Sequence, residues 1–178
     1  KRGKGMALAI LSRTAMREPQ ALDVRLPCGA ALEISTGEVI GWNLAVRGEF
    51  ETAELAACSV LARRGTLAMD VGANVGIFTL TLAQAVGPEG RVLAFEPLAY
   101  NHRRLESNIE RNGFRHVEAV LAAVGSTTGY VELPSGGDPA YVSLRDQHVG
   151  EAAGGNTVPV CTLDDAWRKA GRPAVSFI

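Results

Sequence analysis

Residues 69–76 read MDVGANVG, an apolar strand that ends in an acid, Asp70, and turns through Gly72 and Gly76 into an amphipathic run. Glycines at a strand-to-helix turn adopt backbone angles that other residues rarely reach, and they let a bound molecule approach the main chain closely. The helix that follows directs its N-terminal N–H groups toward that molecule. The stretch therefore predicts a ligand site at a strand-to-helix turn.

The segments after the turn predict the rest of a βαβ unit. Apolar residues recur at helical spacing, at Val75, Phe78, Leu82 and Val86, which indicates a helix with one buried stripe. Residues 91–96 (RVLAFE) form a nearly continuous apolar run, typical of a strand covered on both faces of a parallel sheet. A second helix is expected to begin at Pro97. Together these elements predict a right-handed crossover of nucleotide-binding type.

The second strand also ends in an acid, Glu96, which lies 26 residues after Asp70. In this type of crossover, a carboxylate at that position can accept hydrogen bonds from both hydroxyls of a ribose. The alternative is that Glu96 only places a favourable negative charge near a helix N-terminus. The glycine turn upstream favours the ribose interpretation.

The turn itself discriminates between nucleotides. It lacks the middle glycine of the dinucleotide fingerprint G-x-G-x-x-G, since Asn74 holds that position. Asp70 would repel a pyrophosphate and favour a cation. S-adenosyl-L-methionine carries an ammonium, a sulfonium and a ribose but no phosphate, so it fits both features. A nicotinamide-dependent oxidoreductase fits neither well and is kept as a rival.

The sequence resembles the FkbM family of S-adenosylmethionine-dependent methyltransferases over about residues 66–178. Four runs carry the resemblance: DVGANVG, VLAFEP, LESNIERNG and VPVCTLDD. The resemblance implies an α/β fold, a Rossmann-like class I methyltransferase three-layer sandwich with a mostly parallel sheet. It also implies transfer of a methyl group to a hydroxyl oxygen of a small molecule, such as a sugar or secondary metabolite.

The same resemblance implies which residues bind the cofactor. The turn and the methionine end of the cofactor correspond to Asp70, Gly72, Ala73, Asn74 and Gly76. Glu96 would bind the ribose hydroxyls, and Pro97 and Leu98 would flank the adenine. Many class I enzymes place an acid near the adenine after the third strand, whereas this chain has Ala122 and Ala123 there. No catalytic base is assigned from the sequence.

The segments around this unit predict a domain organisation. Residues 1–48 are expected to form an N-terminal extension with a β-hairpin, in which Leu22, Val24 and Leu26 alternate with charged residues. Residues 49–178 are expected to be the N-terminal part of a methyltransferase domain, a fragment that stops after the fourth core strand. A helix over 49–64 is predicted to bury one face.

That predicted buried face consists of Phe50, Ala53, Ala57, Val60 and Leu61. Residues 134–156 have little periodicity and are interpreted as a flap near the ligand, with a plain surface segment as the alternative. Two neighbouring acids, Asp164 and Asp165, follow Thr162 with capping-box spacing, so a structural role is preferred to a catalytic pair.

Composition narrows the classes of function. The net charge is −1, which gives no electrostatic footprint for nucleic acid, and no apolar run is long enough for a membrane span. Cys28, Cys58 and Cys161 are odd in number and lie in apolar contexts, which predicts buried reduced thiols and a cytoplasmic location. The histidines show no metal-ligand spacing, so no metal is expected. A non-catalytic S-adenosylmethionine-binding or interaction module remains the alternative function.

Overall fold

The computed structural model describes residues 19–47, 50–133 and 157–178. Nine strands and five helices occur within these ranges. The strands are β1 (Ala21–Arg25), β2 (Ala31–Ser35), β3 (Leu67–Val71), β4 (Arg91–Phe95), β5 (Val117–Val120), β6 (Ala123–Val124), β7 (Gly129–Glu132), β8 (Thr157–Cys161) and β9 (Val175–Phe177). The helices are α1 (Val39–Arg47), α2 (Thr52–Leu61), α3 (Ile77–Val86), α4 (Ala99–Arg111) and α5 (Leu163–Lys169).

The central sheet is parallel and has the strand order β5-β4-β3-β9. The chain passes from β3 through α3 to β4, and from β4 through α4 to β5. These are two successive crossovers in the same direction, so both helices pack on one face of the sheet. The carboxyl ends of β3 and β4 then lie side by side, where an open parallel sheet binds its ligands.

Side chains of the central strands alternate between two packed faces. Ala68 and Val92 pack with α3, whereas Met69, Leu93 and Phe95 pack with the apolar face of α5. Alternation with a period of two is what a strand geometry requires when both faces are buried. The arrangement of helix, sheet and helix is a three-layer α/β sandwich with a Rossmann-like, mostly parallel sheet, which confirms the predicted fold class.

The predicted N-terminal hairpin is formed by β1 and β2 and shares a core with the crossover. Leu22 pairs with Ile34, and Val24 pairs with Leu32. Leu32 and Ile34 are fully buried in a cluster that also contains Leu80 of α3 and Leu105 of α4. The predicted extension therefore packs directly on the crossover unit. Helix α1, which follows β2, was not predicted from the sequence.

Two asparagines connect α4 to β2: Asn108 within the helix and Asn112 at its C-terminal cap. The Asn112 side chain accepts from Ala31 N–H at 2.8 Å and donates to Ala31 C=O at 2.7 Å. The Asn108 side chain does the same for Glu33, at 2.8 and 3.2 Å, and also donates to Val75 C=O at 2.9 Å. Each amide therefore pairs with β2 as a neighbouring strand would.

The predicted buried face of the helix over 49–64 is wrong. Helix α2 buries Leu55 and Cys58, while Val60 is 81% exposed and Leu61 is 58% exposed. The two faces are similarly apolar because alanines occur on both, so the sequence pattern does not distinguish them. Packing against α3 selects the face with Leu55 and Cys58, since α2 contacts that helix.

Helix α3 is buried more completely than its predicted single stripe. Thr79, Leu80, Thr81 and Ala83 are buried as well as Leu82. The helix is enclosed by the sheet, by α2 and by the hairpin cluster. At the other end of the chain, burial is less complete. Val175 and Phe177 are half-buried, and Ile178 is 67% exposed.

Residues 117–124 contribute strands to two different sheets. Strand β5 ends at Val120, and β6 joins β7 and β8 in a separate three-stranded sheet of order β6-β8-β7. The predicted flap over 134–156 lies outside the described residues. Within the described ranges, no helix is both long and apolar enough to cross a bilayer.

Candidate functional site

The turn between β3 and α3 adopts three left-handed backbone conformations. Gly72 has φ +80°, Asn74 has φ +51° and Gly76 has φ +102°. Asparagine tolerates this region better than most residues, so Asn74 supplies the angle that the missing middle glycine would supply. A Cβ atom on Gly72 would meet no atom within 4 Å, whereas one on Gly76 would lie 2.8 Å from Leu105 Cδ1. Gly72 therefore opens onto free space, and Gly76 permits close helix packing.

Backbone hydrogen bonds attach this turn to the end of β4. Gly72 N–H and Ala73 N–H both donate to Phe95 C=O at 2.9 Å. Asn74 N–H donates to Glu96 Oε2 at 2.8 Å. Three successive amides of the turn are thus directed at the neighbouring strand. The N–H groups expected to face a ligand are those at the start of α3, and these bonds do not involve them.

Asp70 caps the helix that follows the turn. Its carboxylate accepts from the Thr79 hydroxyl at 2.5 Å, and the Thr79 backbone also hydrogen-bonds to it. Burial raises the pKa of Asp70 from 3.8 to about 6, against the lowering effect of the Thr79 hydrogen bonds and with a smaller raising effect from the Glu96 charge. At neutral pH the carboxylate is therefore mostly ionised in an environment that disfavours its charge. A bound cation would relieve that cost.

Glu96 is 4% exposed and accepts hydrogen bonds from both sides of the site. Leu98 N–H donates to Glu96 Oε1 at 2.9 Å, opposite the bond from Asn74, and the Asn101 side chain is a third partner. Burial raises the pKa of Glu96, while these hydrogen bonds and the nearby His102 lower it. The turn after β3 and the start of α4 therefore meet at one carboxylate.

The residues expected near the adenine lie beside the second sheet. Pro97 and Leu98 are half-buried before α4, and Leu98 packs against the cluster of Ala123 and Val131. Ala122 and Ala123 are 4% and 5% exposed, so their side chains are mostly covered by protein. Helix α4 begins at Ala99 with Leu98 as its N-cap. Pro97 thus precedes the helix instead of lying in its first turn.

Two cavities flank the turn at the carboxyl edge of the sheet. The first, of about 270 Å³, lies between the turn and the N-terminal helices, and its lining includes Ile40, Asn43, Phe50, Glu51, Gly72 and Asn74. The second, of about 420 Å³, lies at the ends of β3 and β9, and its lining includes Cys58, Met69, Asp70, Phe78 and Phe177. Asp70 faces the second cavity and the glycine turn faces the first.

Four contributors to the site were not predicted from the sequence. They are Thr79, Asn101, Asn108 and the residues of α1 that line the first cavity. Asn108 and the α1 residues act through contacts with segments distant in sequence, whereas Thr79 and Asn101 contact acids of the same crossover, and periodicity reports neither kind of contact. A local signal existed for Asn101 and Asn108, which are polar residues at buried positions of the amphipathic α4.

The other residues considered from the sequence are the capping motif at Thr162, the histidines and the cysteines. Thr162 caps α5 by accepting from Asp165 N–H at 3.1 Å, which confirms the capping role preferred for this motif. His102 lies in α4 and is 9% exposed. All three cysteines are free, but only Cys58 is buried, and the other two are half-buried. The described parts of the chain contain no group of three potential metal ligands.

Comparison with known proteins identifies relatives of part of this chain. The antimetabolite synthetase AmbE of Pseudomonas aeruginosa is 40% identical over 96 residues, which is 51% of this chain and 4% of that protein. A protein-L-isoaspartate O-methyltransferase of Ignicoccus hospitalis is 31% identical over 104 residues, 58% of this chain and 43% of that protein. The chain thus spans less than half the length of each of these relatives.

Among solved structures, a SAM-dependent methyltransferase from Aquifex aeolicus is similar at 22% identity and a TM-score of 0.36, over 44% of this chain and 39% of that one. Residues 70–178, more than half of the chain, match the family described as the methyltransferase FkbM domain. The chain therefore belongs to the FkbM family of S-adenosylmethionine-dependent methyltransferases, which confirms both the resemblance and the cofactor that the turn predicted.

Proposed function

We propose that this chain binds S-adenosylmethionine across the carboxyl ends of β3 and β4, and that the protein transfers its methyl group to a hydroxyl oxygen of a small molecule. The observation that carries the proposal is a pair of acids, the half-buried Asp70 and the buried Glu96, on either side of the turn between β3 and α3. At Gly72 in this turn, a Cβ atom would meet no atom within 4 Å, so a ligand can approach the backbone there. The cofactor-binding residues proposed are those predicted from the sequence: Asp70, Gly72, Ala73, Asn74, Gly76, Glu96, Pro97 and Leu98.

The residues of the site fit a positively charged nucleoside. Asp70 is a desolvated carboxylate whose ionised form a neighbouring cation would stabilise. Its cavity has otherwise largely apolar walls from Met69, Phe78 and Phe177. Glu96 lies one strand away, at the position from which a carboxylate can receive a ribose hydroxyl. A pyrophosphate would instead meet two negative charges, which disfavours the nicotinamide alternative.

When bound, the cofactor supplies an activated methyl group. The chain contributes orientation, because Asp70 and the turn would fix the methionine end while Glu96 fixes the ribose. The acceptor hydroxyl would take up that methyl group and release its proton to a base or to water, and S-adenosylhomocysteine would remain. The apolar walls beside Asp70 would exclude water from the acceptor side.

A small-molecule acceptor is supported by the net charge of −1, which does not by itself favour nucleic acid as the acceptor. A hydroxyl acceptor rests on the family resemblance. A cytoplasmic location remains a prediction and is supported by the three free thiols.

Titration calorimetry with S-adenosylhomocysteine, S-adenosylmethionine and NAD tests the cofactor site. We expect binding of S-adenosylhomocysteine and of S-adenosylmethionine and no response to NAD, and the reverse pattern would overturn the assignment. Release of S-adenosylhomocysteine in the presence of a panel of sugars and hydroxylated metabolites tests the transfer. Cofactor binding without turnover by the intact protein with any acceptor would favour the non-catalytic module.

The residue test is Glu96→Ala. If charge-assisted hydrogen bonding between Glu96 and the ribose is lost, affinity should fall by about 10- to 100-fold, because water compensates for only part of it. Glu110→Ala is the matched control, since Glu110 is an exposed carboxylate on α4. Unchanged affinity in a folded Glu96→Ala protein would remove Glu96 from the binding site.

A further inference from the structure

The Glu96 carboxylate has more protein partners than a residue dedicated to a ribose would need. A carboxylate offers about four lone-pair positions. Asn74 N–H takes one at 2.8 Å, Leu98 N–H takes another at 2.9 Å, and the Asn101 side chain takes a third. A ribose diol that donates two hydrogen bonds would therefore have to displace one of these partners.

The partner on the turn is the one with a consequence for ligand binding. Gly72 and Ala73 are already held by the Phe95 carbonyl, so Glu96 extends the same attachment by one residue, to Asn74. Asn74 has a left-handed backbone, which costs a non-glycine residue free energy unless surrounding contacts enforce it. A short hydrogen bond from its own amide to a buried carboxylate is such a contact.

We infer that Glu96 is a positioning residue for the glycine turn: its carboxylate holds Asn74 in the left-handed conformation and joins the turn to the start of α4 before any ligand binds. This inference rests on the proposed function for its effect on affinity, but not for its effect on the free protein. Glu96 then has one lone-pair position left for a ribose hydroxyl, and the rest of its contribution to binding is preorganisation of the turn.

Glu96→Ala removes both acceptor oxygens, whereas Glu96→Gln would leave one oxygen that can still accept from either backbone donor. In the ligand-free protein, amide hydrogen exchange at Asn74 should accelerate by at least about tenfold in Glu96→Ala. Exchange at Met69, in the adjoining core strand, should not change. Glu110→Ala, which removes a carboxylate on the exposed side of α4, should leave the exchange at Asn74 unchanged. Unaltered exchange at Asn74 in Glu96→Ala would overturn the inference.

The second arm compares two ligands, S-adenosylhomocysteine and its 2′,3′-dideoxy analogue. If Glu96 positions the turn, Glu96→Ala should weaken the binding of both ligands by at least roughly tenfold, and that of S-adenosylhomocysteine somewhat more because it also loses the one ribose hydrogen bond. A loss confined to S-adenosylhomocysteine would show that Glu96 acts through the ribose hydroxyls, which overturns the positioning role and leaves the proposed function intact. If the wild-type chain binds neither ligand, the proposed function fails, and exchange at Asn74 still decides the positioning role.

Discussion

Replacing Asp70 by Asn should make the protein more stable at neutral pH. Burial raises the pKa of Asp70 from 3.8 to about 6. Between these values the folded protein holds a proton that the unfolded chain has released, so the free energy of unfolding falls as pH rises through this window. At about 1.4 kcal/mol per pKa unit, the full effect is about 3 kcal/mol.

The asparagine side chain has nearly the shape of the protonated acid and still offers an oxygen to Thr79. At about pH 4, where Asp70 is largely protonated in the folded protein, Asp70→Asn should therefore leave the stability nearly unchanged. Above about pH 7 the variant should be more stable than the wild type by up to about 3 kcal/mol. Urea unfolding of both proteins at several pH values measures this difference.

Glu89→Gln provides the control, because Glu89 is an exposed carboxylate in the turn between α3 and β4. Its stability relative to the wild type should vary much less with pH. The difference between Asp70→Asn and the wild type is the quantity that decides. If this difference stays constant within about 0.5 kcal/mol from pH 4 to pH 8, Asp70 is not a desolvated carboxylate. A cation would then have no desolvated negative charge to stabilise at Asp70.

The same variant should bind more weakly while it folds more strongly. S-adenosylmethionine carries a sulfonium that S-adenosylhomocysteine lacks, so Asp70→Asn should reduce affinity for the first more than for the second. A variant that folds more stably but binds its ligand more weakly is expected when the replaced charge, here that of Asp70, serves binding and not folding. Equal losses for both ligands would place Asp70 away from the sulfonium.

Three further predictions concern the packing around the site. Asn108→Ala should lower the free energy of unfolding by about 3 kcal/mol, since one buried N–H and two carbonyls lose their partner; chemical denaturation measures it, and a loss no larger than that of the exposed Arg103→Ala would contradict the role assigned to Asn108. Gly76→Ala should cost about 1 to 3 kcal/mol because the new Cβ would meet Leu105, whereas Gly113→Ala, also at positive φ but in open space, should cost about 1 kcal/mol; equal losses on thermal unfolding would argue against the clash. Thr162→Ala should cost about 1 kcal/mol through the lost cap of α5, and Thr162→Ser should restore most of it; a serine variant as unstable as the alanine one would show that the methyl group matters instead.

The parts of the fold that could be predicted are those determined by local pattern. The crossover from β3 to β4 follows from two apolar strands around a glycine turn, and the hairpin follows from strict alternation in Leu22 and Val24. The cap at Thr162 is likewise encoded within four residues. In each case the local sequence pattern is compatible with one local structure, so tertiary packing had no alternative structure to select.

Prediction failed where two local solutions were nearly equal. Helix α2 could bury either the face with Leu55 and Cys58 or the face with Val60 and Leu61, and contact with α3 decided for the first. The bonds that define the candidate site also join distant segments. Asn74 meets Glu96 from 22 residues away, and Asn108 reaches Val75 from 33 residues away. Periodicity locates such polar residues without indicating which partner each one meets.

The pairing of α4 with the hairpin has a consequence for self-association. An uncovered strand edge offers a row of unpaired amides and carbonyls that can recruit a strand from another molecule. Along β2, the groups of Ala31 and Glu33 are already engaged by Asn112 and Asn108. The hairpin therefore cannot extend into an intermolecular sheet along β2 without first breaking four hydrogen bonds, so these two amides protect the protein against edge-to-edge aggregation.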